Sequence, residues 1–235
     1  MSRADGLDAR RVLAVFAHPD DAELACGGTL AAFRHAGYDV HIVALTDGFN
    51  SSVARPQDRV REAAASAAII GATITIESLP DGDVRVARET YAKIESHLRR
   101  VAPTVVMTHY TSPQLQDDHQ DHQATGLVAT TLAKRVPSPR LILQGEPPVL
   151  NSGFIPNLYV NVTDFMDKKL AAIAQYQSEA SKPYMREEAL LARARWWARQ
   201  ARVHEQGEDE FCEAFQLVKC RSINPHQLID IRIDT

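Results

Sequence analysis

No stretch of this 235-residue chain reaches the roughly 18 consecutive apolar residues needed to cross a bilayer, so no membrane association is expected. The opening residues, Met1 to Arg11, are polar and charged rather than an apolar export signal, and are expected to fray. Cysteine is scarce. Cys26, Cys212 and Cys220 cannot all pair and show no CxxC spacing, which argues against a disulfide framework and a thiolate zinc site. A reducing, cytoplasmic setting fits best. A basic excess is also lacking: 26 Lys and Arg face 30 Asp and Glu, a formal charge of -4, so nucleic acid is a poor partner. There is no internal repeat, low-complexity tract or Gly/Ser-rich linker, and one domain spanning residues 1–235 is expected.

What the chain does have is alternation. Short runs rich in Val, Ile and Leu (Arg11 to Ala17, Val40 to Leu45, Thr73 to Glu77, Thr104 to His109) are separated by amphipathic stretches (Leu24 to His35, Gln57 to Ile70, Arg88 to Arg100). Parallel strands need crossover connections, so this rhythm predicts an α/β fold: a Rossmann-like three-layer sandwich with a mainly parallel sheet. Arg140 to Gln144 and Leu158 to Val162 are candidate extensions of the sheet. Asp164 to Ala201 reads as helical with a break near Ser181, Lys182 and Pro183, and a mixed C-terminal region follows with one strand near Ala214 to Val218.

In such sheets ligands gather at the carboxyl ends of the strands. The segment Ala17 to Ala31, AHPDDAELACGGTLA, follows the first strand. Two adjacent carboxylates beside an imidazole on one tight turn repel unless a cation offsets them. Asp20 or Asp21 could instead be an ordinary helix N-cap. A second cluster, Asp117 to Gly126 (DDHQDHQATG), follows the fourth strand, and its His119 and His122 share a face if a helix begins there. His18, Asp21 and His122 together make two imidazoles and one carboxylate, the ligand set of open catalytic zinc sites, although iron(II) accepts the same set. Asp20 and His119 are left over. One of them would take a proton from a metal-held water and the other would protonate a leaving amine.

At these residues the chain resembles the LmbE/PIG-L family of zinc-dependent de-N-acylases, marked by an AHPDDxE segment (Ala17 to Glu23) and an HxDH segment (His119 to His122). The similarity extends to Thr46-Asp47-Gly48, Arg59 three before Glu62, Pro80-Asp81-Gly82, Glu146-Pro147-Pro148 and Glu213-Ala214-Phe215. It implies a zinc-dependent N-deacetylase, a hydrolase cleaving the N-acetyl or another N-acyl group of an amino sugar or sugar conjugate. By the resemblance His18, Asp21 and His122 hold the metal and Asp20 is the general base; should Asp20 not serve, Glu23 is our next candidate. His119 would act as acid or oxyanion stabiliser, Asp121 would orient His119 through a carboxylate to imidazole hydrogen bond, and Arg59, or its rival Arg61, would bind substrate. The expected partners are a small-molecule N-acylated amino sugar and further copies of the chain in a homo-oligomer. Two positions depart from the common pattern, Phe49 in place of Glu and Gln120 in place of Pro, and neither is a proposed ligand.

The amide pocket is expected from the loops after strands one, two and four plus Gln144 to Phe154, with Tyr110 to Gln116 selecting the sugar. His109 is either a pocket wall or an ordinary strand-end histidine. Trp196 and Trp197 point about 100° apart on a helix, so at most one meets substrate and core packing is the simpler role. Arg193, Arg195, Arg199 and Arg202 read as a solvated face. Two rival functions share the ligand types. An Fe(II) oxygenase would use His18, Asp20 and His122 but normally needs a β-sandwich, and a non-catalytic metal- or sugar-binding domain would have no use for Asp20 and His119.

Overall fold

Strand β1 (Arg11–Phe16) runs through the middle of the sheet, and its alternate side chains feed two separate cores. Val12, Ala14 and Phe16 face a cluster that includes Leu30 and Ala31 of α1 (Asp21–His35), whereas Leu13 and Val15 face Ile94 and Leu98 of α3 (Arg88–Val101) and Val128 of α4 (Gln120–Arg135). Both faces of β1 are therefore apolar, the mark of a strand buried between helical layers. The computed structural model describes residues 10–50, 56–111, 118–149, 153–201 and 210–221. Among these, no helix is long and apolar enough to cross a membrane.

The sheet has seven strands in the order β3-β2-β1-β4-β5-β7-β6. Strands β2 (Asp39–Ala44), β3 (Thr73–Ile76), β4 (Val105–His109) and β5 (Leu141–Gly145) extend it in parallel on the two sides of β1. The α/β sandwich read from the alternation is thus the fold found. One strand holds a place the sequence did not suggest: β7 (Cys212–Cys220) inserts antiparallel between β5 and β6 (Leu158–Asn161). α1 and α2 (Pro56–Ile70) pack with α5 (Met166–Ile173), α3 packs with α4, and α6 (Glu187–Ala201) lies on β7. On α6 Trp197 is buried against Phe154 and Tyr159, while Trp196 is exposed. Arg193 and Arg195 are not simply solvated: Arg193 reaches Glu146 and the Pro148 carbonyl, and Arg195 lies over the Phe211 ring. Arg202 lies outside the described residues.

α1 begins at Asp21 and breaks at Cys26, whose φ of -152° and ψ of 21° are not helical. The break exposes fresh N–H groups, and the Glu213 carboxylate of β7 accepts from Gly28 N at 3.0 Å, Thr29 N at 2.7 Å and Thr29 Oγ1 at 2.6 Å. An anionic cap suits a helix N-terminus. Lys169 of α5 pairs with the same carboxylate at 2.6 Å.

Strands β1 and β4 are neighbours whose crossovers leave in opposite directions, and this switch point opens the crevice where ligands bind in open α/β sheets. α4 sits close against the end of β4 because Gly126 has no side chain: a Cβ there would lie 2.6 Å from the His109 carbonyl oxygen and 2.8 Å from Thr111 Cγ2. Gly126→Ala is therefore expected to destabilise. Overpacking against backbone costs about 1–3 kcal/mol, more than the roughly 1 kcal/mol of helix propensity that alanine returns. A denaturant midpoint equal to or above that of the parent would show that α4 moves freely away from β4.

Candidate metal and acid-base site

His18, two residues past β1, and His122, in the first turn of α4, meet at the switch point. His18 Nδ1 lies 3.2 Å from Asp21 Oδ2 and 3.2 Å from His122 Nε2, and His122 Nε2 lies 3.4 Å from Asp21 Oδ1. Asp21 is aimed by its own turn, since its Oδ2 accepts the His18 backbone N–H at 2.7 Å. Two groups among the described residues are suited to a metal ion: His18, Asp21 and His122, and His18, His119 and Asp121. The outer nitrogens favour the first. His18 Nε2 faces Asp81 at 3.0 Å and Asp121 at 3.3 Å, and His122 Nδ1 faces Asp118 at 2.9 Å. Each imidazole thus turns one nitrogen to the shared centre and backs the other with carboxylate, the arrangement that orients metal-ligating histidines.

Without an ion these acids hold protons on the imidazoles. Burial by itself would lower the His122 pKa, but Asp21 and Asp118 outweigh it and hold the ring at about 9. Burial likewise opposes His18, and the hydrogen bonds it donates to Asp121 and Asp21 raise it well above the ordinary value. Burial raises Asp21, yet His122 and His109 pull its carboxyl well below the usual range. Metal ligation requires neutral imidazole, so a metal ion held here would have to displace these protons. Between about pH 6.5 and pH 9 the apparent affinity for zinc is expected to rise about tenfold per pH unit for each proton displaced. Calorimetry in buffers of different ionisation enthalpy counts those protons, and a pH-independent affinity with none released would contradict this charge state.

Asp20 occupies the N-cap position of α1 but makes no capping bond, and its backbone is left-handed, φ 109°. Such a conformation in a residue with a side chain is strained and is held only by its surroundings. Burial pushes the Asp20 carboxyl up to about 7 against the opposing charge of Arg59. Glu23, the other candidate, is buried, accepts from Ser66 Oγ at 2.8 Å and Tyr176 OH at 3.0 Å, and does not line the cavity. His119 caps α4, its Nδ1 accepting from Asp121 N at 3.2 Å. The expected carboxylate to imidazole bond between Asp121 and His119 is replaced. Fully buried, the Asp121 carboxylate accepts from Gly82 N at 2.8 Å and Val84 N at 3.0 Å and meets His18 instead, because the turn after β3 closes over it.

Arg59 and Arg61 are told apart by direction. Arg61 is exposed and pairs with Asp58, whereas Arg59 reaches the cavity wall with only 2% of its surface accessible. His109 is neither a cavity wall nor an idle strand end. It stacks flat beneath His122, centroids 4.1 Å apart, with Nε2 accepting from Ala17 N, and burial lowers its pKa to about 4. The cavity, about 460 Å³, is lined by the loops after β1, β2, β4 and β5, as expected, through His18, Gly48, His119 and Val149. Two walls were missed: Asp81 and Gly82 after β3, and Lys182 and Tyr184 between α5 and α6. Residues 112–117, most of the loop expected to select the sugar, lie outside the described residues. Asp81 and Asp118 stood inside quoted motifs, but nothing in their spacing told which imidazole each would back.

An open α/β sheet with a His and carboxylate cluster that could hold a cation, and further acid-base groups beside it at the switch point, defines a class of site suited to metal-assisted chemistry, and the fold is not the β-sandwich of the oxygenase reading. Residues 13–133 match the GlcNAc-PI de-N-acetylase family, PIG-L, and the chain belongs to that family. It is 29% identical to the diacetylchitobiose deacetylase of Thermococcus kodakarensis over 210 residues, 78% of each chain. It is 31% identical to the uncharacterized deacetylase YaiS of Escherichia coli over 173 residues, 71% of this chain and 90% of that one. The 4-carboxy-2-hydroxymuconate hydratase of Pseudomonas putida KT2440 shares the fold, with a TM-score of 0.75 at 22% identity over 92% of this chain and 98% of that one.

Proposed function

We propose that this protein is a metal-dependent N-deacetylase of an N-acylated amino sugar or sugar conjugate. The observation that carries the reading is that His18 Nδ1, His122 Nε2 and the Asp21 carboxylate converge on one point of the cavity while Asp20 and His119 stand in its wall uncommitted to that point. The ligand set suits zinc, and iron(II) by the same chemistry. When bound, such an ion supplies Lewis-acid polarisation of the amide carbonyl and lowers the pKa of water.

The residues of the chain do the rest. The Asp20 carboxylate accepts the proton of the attacking water, a transfer helped by a pKa raised toward neutrality. His119, exposed and lining the cavity, gives a proton to the amine nitrogen as the C–N bond breaks, or faces the oxyanion with positive charge. Asp81, Asp118 and Asp121 orient the two histidines. Arg59 meets Asp20 from behind, so its effect on substrate is exerted through the base. A cytoplasmic homo-oligomer completes the proposal, and light scattering tests the assembly.

The deciding experiment loads the protein with zinc or iron(II) and measures primary amine released from a panel of N-acetylated amino sugars that includes N,N'-diacetylchitobiose. Release from at least one member is expected. A metal-replete protein that frees no amine but hydrates an unsaturated dicarboxylate would move it to the chemistry of the hydratase whose fold it shares.

A further inference from the structure

The short turn Gln177–Glu179 between α5 and α6 brings a buried carboxylate up behind the cavity. Glu179 is 1% exposed, and its carboxylate meets both Arg59 Nη1 and Lys182 Nζ. The other end of the guanidinium, Nη2, donates to the Pro19 carbonyl and to Asp20 Oδ2, the latter at 3.3 Å. Charges of alternating sign therefore run from the cavity rim to the strained residue: Lys182, Glu179, Arg59, Asp20. Burying a carboxylate and a guanidinium is costly unless each is paired, so neither is expected here merely as filling.

Glu179 is not the turn's only tether. Glu62, one helical turn after Arg59 on α2, accepts from Ser178 N at 3.0 Å and Ser178 Oγ at 2.5 Å, anchoring the same turn separately. Tethering the turn and gripping the guanidinium are thus divided between two acids.

We propose that Glu179 is a positioning residue for the reaction: by holding one end of the Arg59 guanidinium it keeps the other on Pro19 and Asp20, fixing the left-handed Asp20 backbone and the aim of its carboxylate. With Glu179 neutralised, Arg59 is free to settle more closely on Asp20 and draw its oxygens out of line with the attacking water. The inference rests on Asp20 being the base.

The test compares E179Q, E62Q and E179D with the parent enzyme, metal-loaded, on an N-acetylated amino sugar that the parent cleaves. E179Q is expected to lower kcat about ten- to a hundredfold, as misplacement of a reacting group does, with metal content unchanged and KM within about threefold. E62Q loosens the same turn without releasing Arg59 and should lower thermal stability while leaving kcat near the parent value. E179D, which retains the charge, should recover most of kcat. In a double-mutant cycle R59K and E179Q should be non-additive, the pair losing little more than R59K alone. If E179Q does not fold, the cycle is run with E179A, which also removes the charge, and non-additivity with R59K is still required. Equal kcat losses in E179Q and E62Q, or additive losses in the cycle, would overturn the proposal. Failure of the underlying reading looks different: D20N would then turn over normally with full metal, whereas an inactive D20N beside a normal E179Q rejects Glu179 alone.

Discussion

Asp20→Asn is expected to keep the metal and to lower turnover by roughly a hundredfold or more, the scale of losing a positioned base. Asparagine preserves the size of the side chain and can still accept from Arg59 Nη2, so the turn should survive. It cannot take a proton. A hundredfold corresponds to about 2.7 kcal/mol of activation free energy. The strained φ of 109° also favours the exchange, because asparagine tolerates the left-handed region as well as aspartate does. Metal content and kcat should be read on the same preparation. Full occupancy with near-normal kcat would take the role from Asp20, and the buried, doubly hydrogen-bonded Glu23 could not inherit it from its present position.

Alanine at His18, Asp21 or His122 is expected to remove metal and activity together, with kcat lower by at least about a thousandfold because several kcal/mol of charge stabilisation leave with the ion. The fold should remain. Its two main cores, on opposite faces of β1, are built from residues such as Phe16, Leu30, Leu98 and Val128 that lie apart from the cluster. Loss of Asp118 or Asp81 should be milder, about 10- to 100-fold in metal affinity, since these carboxylates orient imidazoles without displacing them. Stoichiometric metal in all three alanine variants, measured by elemental analysis after gel filtration, would rule out the ligand set, whereas loss in the His18 variant alone would point to the alternative group His18, His119 and Asp121.

Much of this site could be read from the chain because its key residues sit on short local motifs. His18, Asp20 and Asp21 follow a strand within one turn, and a turn of that length leaves their side chains little choice but the same sheet edge. His122 could be added because β4 reads as a strand and the helix after it starts within reach of the β1 edge. Hydrophobic period sufficed for β1 to β4, whose apolar runs are short and bounded, and left β5 and β6 as candidate extensions.

Other assignments depended on contacts between distant parts of the chain. The Asp121 carboxylate lies two residues from His119, yet it is bound by the turn after β3, where two backbone N–H groups satisfy it better than one imidazole edge. Arg59 lines the cavity, but its pairing with Glu179, on a turn 120 residues later, could not be read from its motif. β7 shows the same limit at the scale of the fold, since nothing in a nine-residue run says that it will slip between β5 and β6. Backbone sterics and hydrophobic period act over a few residues, so the chain alone specified the layered α/β frame and the residues at its carboxyl edge. Charge pairing acts through space over a few ångströms whatever the separation along the chain, so packing chose which acid backs which histidine and which way Arg59 points.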